Sequence, residues 1–174
     1  MCPVALPVLK PSLQPSFSYE KGSPMANKLM PEDFLRCVSA HTQQPCELAG
    51  HIINETAITI PADDLHNIVA ALMNDLNLTH LSAITAQQRE DCPDEIQVMY
   101  HFWQGGGYTL IVWLPAAEPV LTSLMDLIIG ADFYEREVAE MYGITIANRE
   151  ETPPLLLPDD WNEGPPMRRK EESV

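Results

Sequence analysis

Between Ile96 and Leu114 the chain is written for antiparallel sheet. Ile96, Val98, Tyr100 and Phe102 alternate with Gln97, Met99, His101 and Trp103, the period-two pattern of a half-buried strand. Gly105-Gly106-Gly107 then reverses the chain into a second apolar run, Tyr108 to Leu114. A glycine triplet after a strand can also cradle a phosphate. Phosphate loops, however, work through the N-terminus of a following helix, and here another strand follows with no Lys-Ser/Thr pair. The pattern predicts a hairpin.

The flanking segments extend that hairpin into a domain. Pro31-Glu32-Asp33 is a first helical turn, with proline where no donor is missed and acids at the positive end of the dipole. Leu48 to Ile53 and Thr56 to Ile60 read as two short strands around Asn54-Glu55. Pro61 opens a second helix whose stripe is Leu65, Ile68, Val69, Leu72, Met73 and Leu76, a core-facing spacing. Leu78 to Ala86 is a strand, Cys92-Pro93-Asp94 a turn, and Pro119 to Ile129 a helix with Leu121, Leu124, Met125 and Ile128 on one face. This order predicts an α+β fold over residues 31–146, a mainly antiparallel sheet with packed helices.

Both ends of the chain are proline-punctuated. Residues 1–30 carry Pro3, Pro7, Pro11, Pro15 and Pro24 and read as an extended or disordered arm. Residues 147–174 carry Pro153-Pro154, Leu155-Leu156-Leu157, Pro158-Asp159-Asp160-Trp161, Gly164-Pro165-Pro166 and Met167-Arg168-Arg169-Lys170. Prolines lack donors and restrict their predecessors, so this part should run as an extended strap over a surface. Its leucines and tryptophan need apolar ground, on the same domain or on another protein.

A short helix, residues 132–142, joins domain to strap. Asp132 and Glu135 are spaced as a capping box, Gly143 is placed to end the helix left-handed, and Arg136 and Glu140 are spaced i,i+4 as an ion pair. Tyr134, Val138, Met141 and Tyr142 fall on one side. Glu135, Arg136, Glu137 and Glu140 fall on the other, which reads as a solvated or interface surface.

The sequence here, ERE at 135–137, EMYGI at 140–144, LLLPDDW at 155–161 and EGPPMRRK at 163–170, resembles the signature region of the C-type subunit of NADH dehydrogenase. This is the thirty-kilodalton subunit of respiratory complex I, with homologues in membrane-bound nickel-iron hydrogenases. Glu135, Arg136, Glu137, Met141, Tyr142, Gly143 and Ile144 match the helix motif, while Glu140 stands where the family more often has Asp. Pro158, Asp159, Asp160, Trp161, Glu163, Gly164, Arg168 and Arg169 match the strap, and the PDDW form is more similar to the hydrogenase-type branches. One stretch departs: ANREETPP, residues 147–154, stands where the family commonly has Gly-His-Pro and a following Arg pair.

The resemblance implies a non-catalytic structural subunit in the peripheral arm of a complex I-like NADH:quinone oxidoreductase or a related energy-converting hydrogenase. It would brace the large (forty-nine-kilodalton or hydrogenase large-type) subunit and lie beside the iron–sulfur subunits. The implied interface is Glu135, Arg136, Glu137, Glu140, Tyr142, Leu156, Pro158, Asp159, Asp160, Trp161, Arg168 and Arg169. Catalytic, cofactor and metal residues are expected to be absent from this chain, with iron–sulfur clusters and the quinone or nickel-iron centre in partner subunits. A cytoplasmic location, peripheral to the membrane through the complex, is implied as well.

Composition agrees with that class and excludes others. Twenty-five acidic against ten basic residues give a net charge of −15, which disfavours nucleic acid and anionic lipid as partners. Arg168, Arg169 and Lys170 form a local basic patch, which suits either an acidic partner surface or a solvated tail. Cys2, Cys37, Cys46 and Cys92 form no C-x-x-C pair, so clustered-thiolate zinc or iron–sulfur sites are not expected. No apolar run approaches the roughly 20 residues that span a bilayer. The alternative is a self-contained metal-dependent hydrolase using Glu135, Glu137, Glu140 and His101 as its carboxylates and base.

Overall fold

The computed structural model describes residues 28–42, 47–52, 55–150 and 153–169, giving the backbone course alone over 47–52. The arm read for residues 1–30 lies outside the described residues up to Asn27, as do Asn54 of the predicted turn and Lys170 of the basic patch.

Helix α1 (Pro31–Ala40) begins with proline at its first position and Glu32 and Asp33 in its first turn, and it buries Phe34, Cys37 and Val38. Strands β1 (Glu47–Ile52) and β2 (Glu55–Thr59) pair antiparallel with an irregularity between Leu48 and Gly50. A 3₁₀ turn at Ala62–Asp64 leads into helix α2 (Leu65–Leu76), which Asn77 ends in the left-handed region at φ 54°. Strands β3 (Leu81–Gln87), β4 (Glu95–Trp103) and β5 (Gly107–Pro115) follow as an antiparallel meander. Spatial order is β1-β2-β5-β4-β3, with β2 and β5 the single parallel pair, so the sheet is mainly antiparallel.

Alternation decides which face is covered. Ile96, Val98, Tyr100 and Phe102 of β4 and Tyr108, Leu110, Val112 and Leu114 of β5 are all buried in one cluster. The same cluster holds Leu65, Ile68, Val69 and Leu72 of α2, Phe34 and Val38 of α1 and Val138 of the later helix α3 (Ala131–Tyr142). All three helices therefore lie on one face, with Phe34 tilted against Tyr108 at a ring separation of 5.0 Å. Each fully buried side chain of the α2 stripe contributes about 1.5–3 kcal/mol. The other face is uncovered enough to leave Trp103 54% exposed. It carries a polar row across the strands, in which His101 bonds Thr85 at 2.9 Å and Thr109 at 3.0 Å, and Thr109 donates to Glu55 at 2.6 Å.

Two sequence expectations are corrected. The strand expected from Leu78 begins only at Leu81, because the left-handed turn at Asn77 directs the Leu78 amide back to the Leu72 carbonyl at 3.1 Å. Pro119 to Ile129 is not a helix. Val120–Thr122 forms β6, parallel to β7 (Thr145–Ala147), and isolated turns follow. The cause is tertiary: Thr145 donates to the Pro119 carbonyl at 2.8 Å and Ser123 to that of Ala147 at 3.1 Å, so the segment gives its backbone to β7. Leu121 and Leu124 are still buried, while Met125 and Ile129 of the expected helix face outward.

Candidate partner interface

Helix α3 is where the first signature residues lie, and several of them face inward. Its core side runs Ala131, Glu135, Val138 and Tyr142, spaced i, i+4, i+7, i+11. Glu135 is thus 1% exposed, although it was expected on the solvated side. No capping box forms: Gly130 stands at the N-cap without a side-chain bond. The Glu135 carboxylate instead accepts from the Ser123 hydroxyl at 2.7 Å and the Leu124 amide at 2.6 Å, and the Arg149 guanidinium lies 3.4 Å away. Burial pushes its carboxyl above the usual range, and these donors offset only part of that. Arg149 also pairs with Asp132, which lies 3.8 Å from Arg136. The expected Arg136–Glu140 pair is therefore redirected, because each partner is engaged elsewhere.

Both hold the strap. Arg136 donates to the carbonyls of Pro153 at 2.9 Å and Pro154 at 3.4 Å. Glu140 accepts the successive backbone amides of Leu155, Leu156 at 2.9 Å and Leu157 at 3.2 Å. Partial burial raises the Glu140 carboxyl, but the three amides and the Arg136 charge outweigh it and hold it below the ordinary carboxylate range. Proline explains the arrangement. A stretch that cannot form a ladder still has orphan amides and carbonyls, and one acid and one base on α3 satisfy them in order.

The far end of the strap is held as firmly. Met167 donates its amide to the Met141 carbonyl at 3.0 Å, and Arg168 reaches the carbonyls of Tyr142, at 3.2 Å, and Ala116. Gly143 ends α3 at φ 66°, and a Cβ there would stand 2.7 Å from Pro165 Cγ. Glycine is needed twice over at this position, for its conformation and for the proline packed on it. Arg169 donates its amide to Gln88 at 2.9 Å and pairs with Glu90 at 3.4 Å, both at the surface.

Between these anchors the chain turns outward. Every residue from Pro158 to Gly164 is exposed. Trp161 closes the loop on itself, its amide bonding the Pro158 carbonyl at 3.0 Å and its indole N–H the Gly164 carbonyl at 2.7 Å. Trp161 remains 38% exposed and Leu156 59%, with Asp159, Asp160 and Glu163 around them.

Of the residues expected at an interface, then, Glu135 and Tyr142 are buried in the domain. Arg136, Glu140 and Arg168 act as brackets on the strap. Glu137, Leu156, Pro158, Asp159, Asp160, Trp161 and Arg169 are outward. Sequence reasoning missed Arg149 and Ser123. Arg149 was detectable as the lone cation in the divergent stretch 147–154; Ser123 carried no signal. The carboxylates of the hydrolase alternative do not gather: Glu135 and Glu140 are engaged as above, Glu137 is exposed, and His101 lies in the polar row on the opposite sheet face.

The model of the family described as the respiratory-chain NADH dehydrogenase, 30 Kd subunit, matches residues 58–173. The chain belongs to that family. It is 30% identical over 118 residues to the C-type subunit of the F(420)H(2) dehydrogenase of Methanosarcina mazei, covering 65% of this chain and 73% of that one. It is 31% identical over 116 residues to the C/D-type subunit of the NADH-quinone oxidoreductase of Phocaeicola vulgatus, covering 64% of this chain and 22% of that longer one. Among solved structures, a trypsin-resistant fragment of Nqo5 superposes with a TM-score of 0.58 at 22% identity, covering 71% of this chain and all of the fragment. Relatives of this chain are subunits of complex I-like and related respiratory complexes. Among the described residues no helix is long and apolar enough to cross a membrane.

Proposed function

We propose that this chain is a non-catalytic subunit of the peripheral arm of such a complex, cytoplasmic and peripheral to the membrane, bracing the large subunit and lying beside the iron–sulfur subunits. The observation that carries the reading is the doubly anchored strap. Its ends are bonded to α3, Leu156 stands exposed at the first anchor, and the loop between offers an exposed tryptophan among acids. A pre-organised loop loses less conformational entropy on docking than a mobile one, which suits a brace. Relatives of the C/D type carry both parts in one polypeptide, which supports a neighbouring D-type subunit as the partner. The contribution to chemistry is geometric, since a displacement of about 1 Å at a reacting centre can cost around a hundredfold in rate.

The test is co-purification of the large subunit with the full chain and with the double variant Trp161→Ala, Leu156→Ala. Both side chains are substantially exposed, so the variant should melt as the parent does while losing at least about tenfold in association. Undiminished association would refute the brace.

A further inference from the structure

We propose that the adjoining C-terminal ends of α1 and α2 form a site for one borderline divalent cation, Zn²⁺ by preference, held by Cys37, His41 and Asp75. The Cys37 sulfur, a His41 ring nitrogen and an Asp75 carboxylate oxygen all lie within 4.8 Å of one another. Cys37 and His41 stand one helical turn apart at the end of α1, and Asp75 comes from the last turn of α2. A tetrahedral ion with bonds of about 2.0–2.3 Å needs its ligand atoms roughly 3.3–3.8 Å apart. Closing the site thus asks for about 1 Å of side-chain adjustment. Cys37 is buried and fixes the inner corner, whereas Asp75 is exposed and can turn toward it.

Two independent observations point to a cation. His41 Nδ1 lies 2.9 Å from the Cys37 carbonyl, so this nitrogen carries the proton and donates it there. That bond orients the ring through Nδ1 and leaves Nε2 as the nitrogen open to an ion, the arrangement that metal-bound histidines commonly adopt. The second observation is electrostatic. Two helix C-termini meet at this point, each with a partial negative charge, and neither helix has a basic residue in its last turn. Asp75 adds a full negative charge to them. Asp75 and the two helix ends would all attract a cation.

Thiolate, imidazole and carboxylate together favour zinc over magnesium or calcium, which prefer oxygen-only shells. Binding deprotonates Cys37, whose proton passes to solvent, and water completes the fourth position. The ion would clasp α1, which stands at the start of the domain, to the better buried α2.

The experiment uses the full chain with its thiols reduced and metal removed. Co²⁺ is titrated in while the thiolate-to-cobalt charge-transfer band is followed, and Zn²⁺ is then measured by competition with a chelating dye. One equivalent should saturate the band. His41→Ala and Asp75→Asn should each weaken binding by about tenfold or more. These two positions are exposed, so their variants remain folded, and they carry the test even if Cys37→Ser does not fold. Absence of a saturable band, or an undiminished band in both His41→Ala and Asp75→Asn, would overturn the site.

Discussion

Replacing Glu140 by alanine should release the strap without unfolding the domain. The carboxylate accepts three consecutive amides, from Leu155, Leu156 and Leu157, and the segment has no ladder to supply other acceptors. A hydrogen bond to a charged acceptor contributes about 1.5–3 kcal/mol. Three on one half-buried carboxylate do not add, because released amides find water, so a local loss of about 2–3 kcal/mol is the reasonable figure. That corresponds to a roughly 30- to 150-fold fall in amide protection at those three residues. Native-state hydrogen exchange on the full chain reads it directly. The core amides of β4 and β5 serve as the internal control, since a detachable strap should leave them unchanged. The pH dependence follows in sign. Glu140 is held below its ordinary range when folded, so the clamp is complete above the unfolded value of about 4.3 and is lost as pH falls through the lowered folded value. If the three amides in Glu140→Ala were as protected as in the parent, the nest would not be holding the strap, and the reasoning would fail.

Arg149→Met should be more damaging to the whole domain, because it strips the cation from a carboxylate that is almost fully buried. Ser123 and Leu124 still serve Glu135, so the loss belongs at the lower end for broken buried pairs, about 3 kcal/mol, or roughly 10 °C in melting temperature. Acidification should restore part of it: with its folded value raised, Glu135 takes up a proton more readily in the folded state, and stability rises as pH falls toward the ordinary range. Thermal melts across pH check both; a variant that melts with the parent would refute the pairing. Gly143→Ala combines a left-handed backbone with a methyl 2.7 Å from Pro165, and should cost about 1–3 kcal/mol while loosening the 165–168 anchor. Protease nicking within the strap, faster in the variant than in the parent, is the readout.

Much of the fold could be read in one dimension because its signals are local. The alternation at Ile96–Phe102, the glycine reversal and the α2 stripe each depend on residues within a few positions, and each element stands where its period puts it. What could not be read depends on partners far along the chain. Leu121, Leu124, Met125 and Ile128 have helical spacing, but Val120–Thr122 pairs instead with β7, more than twenty residues later. Glu135 is the same lesson at one residue. In the sequence it belongs to an acidic helix face, and nothing nearby shows that Ser123, Leu124 and Arg149 will surround it.

The distinction matters for what a family signature means. Charged residues clustered on a helix invite the reading that they meet another protein, yet here Glu135, Arg136, Glu140 and Arg168 make their hydrogen bonds inside the chain. On the proposed reading, their effect on a partner is one step removed. By fixing residues 153–157 and 165–168 they determine how the loop from Pro158 to Gly164 is presented, and every residue of that loop is exposed. Substitutions in the brackets should therefore weaken assembly through the loop's freedom, recoverable by restraining the strap. Substitutions at Trp161 should weaken it through lost contact, which no restraint recovers.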